Sequence, residues 1–138
     1  MTSQSRHTAG ILLIVFPTVI YGGSSLLRLL IEPGSRYLEN PLRESLWRAG
    51  HAHAAVLLVL SLVILQYVDD ARLPARAKAF VRVATPAAAI LLPTAYFCSV
   101  LSPAATAPSP IIGLAYVGAV VMAAGLLVLG IGLVRRAS

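Results

Sequence analysis

Four long apolar runs divide this chain, and too little sequence is left between them for a separate soluble domain. A helix needs roughly 20 apolar residues to cross about 30 Å of hydrocarbon. The runs therefore place transmembrane helices at about 9–30, 41–68, 79–101 and 111–134 of the 138 residues. Composition agrees, with 58% of residues hydrophobic and 12% charged, where a soluble domain carries about 25% charged. So short a chain could not hide that much apolar surface in an aqueous core. A soluble globule, a disordered tail and a disulfide scaffold are excluded, the last because Cys98 is the single cysteine. The net charge of +6 lies between apolar blocks, as in a membrane protein, and not in basic clusters that would grip nucleic acid. The expected fold is all-α: one four-helix transmembrane domain over 1–138, wound up and down as a bundle.

The loops orient it. Arg6, Arg72, Arg76, Lys78, Arg82, Arg135 and Arg136 fall on one side, and Arg28, Arg36, Arg43 and Arg48 on the other, offset by three glutamates. Cationic excess marks the cytoplasmic side, so both termini and the second loop are expected there. Ten arginines to one lysine, with abundant Ala and Leu, fit a GC-rich bacterial genome and hence a multi-pass protein of the bacterial inner (plasma) membrane. Arg28 and Glu32 follow the first run where a signal peptide would have a small-residue cleavage site, so that run reads as a retained helix.

Local signals add detail. Asn40-Pro41 reads as a helix cap followed by proline at the first helical position. Trp47 reads as an interfacial anchor. Pro17, Pro86 and Pro93 interrupt apolar segments, which only well-packed neighbours tolerate. Tyr21-Gly22-Gly23-Ser24-Ser25 and the Ala119/Ala123 step are small-residue positions where helices approach closely, within one bundle or between protomers.

Chemistry has few places to reside. No acidic residue lies in mid-membrane, and no catalytic triad, phosphate loop or cysteine-pair metal motif is present. What stands out is Trp47-Arg48-Ala49-Gly50-His51-Ala52-His53-Ala54-Ala55. Two imidazoles enter an apolar helix about 6–9 Å beyond Trp47. Each carries a donor and an acceptor that are expensive to leave unpaired in lipid. Residues two apart on a helix are separated by about 200°, so His51 and His53 serve different flanks. Gly50, Ala54 and Ala55 would leave flat recesses beside the rings, suited to an iron porphyrin with histidine as axial ligand. His7, the remaining histidine, sits at the far side of the bilayer. A second axial ligand within one chain would have to be Tyr96, Cys98 or Met122. Self-association offers a simpler route, with His51 of one protomer and His53 of the next closing on one cofactor. Arg28 is a candidate for an anionic group.

The block Gly50-His51-Ala52-His53-Ala54-Ala55-Val56-Leu57 resembles the His-x-His helix of haem-copper oxidase subunit I. Leu26-Leu27-Arg28-Leu29-Leu30-Ile31-Glu32-Pro33-Gly34 is similar to the end of that family's first helix and the turn after it. The likeness covers roughly residues 26–60. That subunit arranges twelve helices as three arcs of four, so the resemblance implies that this chain is one such repeat and that a homotrimer rebuilds the whole. It implies haem b held by His51 and His53, for electron transfer with an unspecified redox partner or for haem binding; the residues themselves add Arg28, Trp47, Gly50, Ala54 and Ala55 as candidate supports of that site. The family's adjacent copper histidines and proton-channel carboxylates have no counterpart here, so an oxygen-reducing enzyme is not expected. Two other readings stay open: a cofactor-free structural or assembly subunit, and a copper- or zinc-binding membrane protein.

Overall fold

A computed structural model describes residues 1–137, and the side chains of Arg136 and Ala137 fall outside the description. The side chain of Arg136, counted above as a cation of the terminal side, therefore lies outside the described structure. The described residues form α1 (Ser3–Ile31), α2 (Pro41–Tyr67), α3 (Ala75–Cys98) and α4 (Gly113–Ala137), with single 3-10 turns at Pro33–Ser35, Tyr37–Glu39 and Pro110–Ile112 and no strand. All four helices are long and apolar enough to cross a membrane. This is an all-helical, multi-pass membrane architecture.

The helix ends follow capping rather than hydropathy. α1 begins at Ser3, well before its apolar run, because the Thr2 hydroxyl accepts from the Ser5 N–H. α2 begins at Pro41 as expected, with the Asn40 side chain accepting from the Arg43 N–H at 3.1 Å. α3 continues through Pro86 and Pro93, and α1 through Pro17.

Each helix packs chiefly on its neighbours in sequence, α1 on α2, α2 on α3 and α3 on α4, while α1 meets α3 only marginally. The expected up-down order holds, but as an open layer and not a closed bundle. Burial follows from this: half of the apolar window of α3 is buried, against 11% of that of α1. The core centres on Leu57, Leu65, Val81, Ala88 and Leu129.

Three glycines on α4 explain its close contact with α3 and with the loop before α3. Gly118, Gly125 and Gly132 recur every seven residues and so share one helix face. A Cβ at Gly125 would lie 2.7 Å from the Ala84 Cβ, one at Gly132 would lie 2.5 Å from Leu73 Cγ, and one at Gly118 would collide with Leu92. The Ala119 and Ala123 step singled out in the sequence does not make this contact and is exposed.

Long-range bonds define two ends. At one, the termini meet the second loop. The Thr2 N–H donates to Asp69 Oδ2 at 2.6 Å, Arg82 Nη2 pairs with Asp69 Oδ1 at 2.6 Å, and Arg82 Nε donates to Ser5 Oγ at 3.0 Å. Lys78 Nζ donates to the Asp69 carbonyl, and the Arg72 N–H to the Gly132 carbonyl. At the other, Asn40 Nδ2 donates to the carbonyls of Pro103 and Ala105 at 2.9 Å each, joining the first and third loops. The latter is called the histidine end below and the former the terminal end.

Candidate functional site

His51 and His53 both lie in the first half of α2, and they face opposite neighbours. His51 turns to α1. Its ring rests on the backbone of Gly22 and Gly23, where a Cβ on Gly23 would come 3.0 Å from Nε2 and 3.1 Å from Cε1. His53 turns to α3, its ring centre 5.1 Å from that of Tyr96. The α2 helix is thus flanked by one imidazole on each side, as the spacing of two requires.

Their bonding differs. His53 Nδ1 lies 2.7 Å from the carbonyl oxygen of Ala49. A carbonyl only accepts, so Nδ1 carries the proton and the lone pair of the neutral ring is at Nε2. No described residue bonds that Nε2, and none bonds either ring nitrogen of His51. Three imidazole nitrogens in an apolar stretch therefore lack a partner within the described residues.

The surroundings of the two rings depart from the sequence expectation at Gly50. The recess expected there is filled by α3: a Cβ on Gly50 would meet Phe97 Cε2 at 3.0 Å and Tyr96 Cβ at 3.2 Å. Gly50 brings α2 and α3 together and leaves no recess at that position. Ala54 and Ala55 are half-buried. Trp47 is tied to α3, its Nε1 donating to the Phe97 carbonyl at 3.2 Å and its ring 5.9 Å from the rings of Tyr37 and Phe97. The Arg43 guanidinium lies 4.0 Å above the Trp47 ring. Arg28, the anion candidate, is exposed and paired with Glu32 at 3.2 Å.

Of the alternative ligands, Tyr96 is already against His53, Met122 packs on the core and Cys98 is half-buried at the end of α3. His7 is exposed at the terminal end, away from both. Among the described residues no three His, Cys, Asp or Glu side chains gather as a metal site. A hollow of about 680 Å³ lies at the histidine end between the first and third loops, bordered by Arg36, Asn40, Leu42 and Ala105.

Two groups outside the spans have shifted acidity. Burial pushes the Asp69 carboxyl up, but hydrogen bonds from the Thr2 N–H, Arg82 and the Ser5 and Thr2 hydroxyls outweigh it and hold the group well below the usual carboxylate range. Burial, then the nearby Glu44, raises the Tyr37 phenol, with Arg48 and Arg43 opposing.

Sequence reasoning missed the Asp69–Arg82–Ser5 cluster and counted Arg82, just beyond the second loop, only among the cations of one side. A signal existed, since Arg82 stands between Val81 and Val83 inside an apolar run. It also missed that Gly22 and Gly23 form the seat of His51.

No protein-family model matches the chain, and neither do the curated proteins or the solved structures.

Proposed function

We propose that this chain is a multi-pass protein of the bacterial inner membrane that associates with copies of itself, favouring a trimer, and holds haem b between protomers through His51 and His53. The observation that carries this reading is the partnerless imidazole nitrogens. In hydrocarbon such nitrogens call for a ligand or a donor from outside the chain.

The fit differs between the two rings. His53 suits axial ligation as it stands: its Nδ1–H is fixed on a backbone carbonyl, which sets the tautomer and the ring orientation and strengthens Nε2 as a donor. His51 has no such fixing bond and rests on α1, so it suits ligation only by leaving the Gly22–Gly23 seat. Tyr96 holds the His53 ring from the α3 side. Haem bound there would supply one-electron transfer with whatever redox partner the membrane offers.

A second reading has an observation in its favour. His51 fits Gly22 and Gly23 as a key between α1 and α2, which is what a cofactor-free structural or assembly subunit would need. Titrating haemin into the purified protein in mild detergent separates the two. The haem reading expects a saturable red shift and sharpening of the haemin Soret band that is lost in H53A and is altered in H51A by a change of coordination. A haemin spectrum that the protein leaves unchanged, with H51A impairing only stability, establishes the structural reading.

A further inference from the structure

The arginines at the histidine end do not share its carboxylates evenly. Arg28 pairs with Glu32 at 3.2 Å, Arg36 with Glu39 at 2.7 Å and Arg48 with Glu44 at 3.0 Å. Those glutamates are all the acidic residues at that end, since the remaining two are Asp69 and Asp70. Arg43 is left without a carboxylate.

It is also the arginine least able to rely on water. The three paired side chains are 78%, 77% and 65% exposed, whereas Arg43 is only partly exposed and its Nε is buried with no hydrogen-bond partner. Its guanidinium is held over the face of Trp47 at 4.0 Å, and Trp47 is itself anchored to α3 through the Phe97 carbonyl. A guanidinium over a ring face spends no N–H donor on that contact, and a phosphate can accept from two guanidinium N–H groups in parallel. A partly desolvated cation with no counter-charge is costly, and an anion relieves that cost. Depth supplies the rest. Tryptophan favours the membrane interface, where lipid phosphates lie, and Arg43 stands one helical turn, about 6 Å, from Trp47 towards the start of α2.

We propose that Arg43, stacked on Trp47, is a binding site for a single phosphate group, provided by an anionic phospholipid headgroup or by free phosphate at the membrane surface. The site stands apart from the haem reading and survives its failure.

Trp47 is the single tryptophan, so its emission reports on the site directly. The purified full chain in uncharged detergent is titrated with phosphatidylglycerol in mixed micelles, with inorganic phosphate, and with diacylglycerol as a headgroup-free control. Phosphatidylglycerol is expected to shift Trp47 emission saturably. R43Q is expected to weaken the response about tenfold or more, the loss of a charge-assisted hydrogen-bonded pair. R48Q, whose parent arginine already has Glu44, is expected to respond like the wild type. A response to inorganic phosphate as well identifies free anion as a source; a response to the lipid alone identifies the headgroup. No saturable shift with either phosphate compound, an equal shift with diacylglycerol, or an undiminished response in R43Q overturns the proposal. Should R43Q fail to fold by far-UV circular dichroism, R43K carries the test: it keeps the charge, loses the fork, and is expected to weaken the response several-fold.

Discussion

His53 and His51 differ by one hydrogen bond, and that bond has spectroscopic consequences. With the proton fixed at Nδ1 by Ala49, His53 should show a single neutral tautomer in imidazole ¹⁵N NMR, whereas His51 has no partner to choose one. Gly23→Ala places a methyl 3.0 Å from His51 Nε2, so the His51 signals should move while those of His53 stay. Movement of both would mean that the rings are not on opposite flanks. Asp69 gives a second residue-scale outcome. Its carboxyl is held below its ordinary value, so its contribution to stability is complete above about pH 4, the unfolded value, and is lost as pH falls from there towards the folded value. Thermal unfolding in detergent should show a loss of stability that sets in as pH falls below about 4 and grows as it falls further, and that is blunted in Asp69→Asn. Asn40 is the third. It caps α2 and donates to two carbonyls of the third loop. Asn40→Asp keeps the cap and loses both donors, at about 1–2 kcal/mol, and should speed proteolytic cleavage within residues 102–109.

At the scale of elements, the four spans were legible because hydrophobic length alone determines them. Where helices begin was less so, because caps such as Thr2 lie outside the apolar runs. The opposed directions of the two histidines followed from helix geometry, but which neighbour each one met did not, since hydropathy says nothing about which helix lies alongside. The Arg82–Ser5 bond joins residues 77 apart in sequence and leaves no local pattern to read. The seven-residue glycine spacing on α4 was visible in the sequence, although Ala119 and Ala123 drew attention first. That stripe carries its own outcome. Gly125 faces the Ala84 Cβ, which its own backbone holds in place. Gly125→Leu should therefore force α3 and α4 apart and destabilise the fold by about 1–3 kcal/mol through overpacking, measurable as a lowered Tm in detergent. The exposed Ala123→Leu should leave the Tm of the isolated chain nearly unchanged.

For the whole molecule, the layer of helices is open, and its flanking members α1 and α4 are the least buried. An open layer with partnerless imidazoles near one end is well suited to completing itself with copies of the same chain, and a closed bundle with satisfied side chains would not be. The clasp of Thr2, Ser5, Asp69 and Arg82 at the terminal end holds α1 to the α2–α3 turn, while the His51 seat holds it further along. Self-association and cofactor binding are joined in this picture and can be read together. Native mass spectrometry of the protein, purified from mild detergent after haemin addition, gives the copy number and the bound mass in one spectrum. A homo-oligomer, favoured as a trimer, carrying non-covalent haem that is absent from H53A is the expected result. A lone chain with no added mass would contradict it.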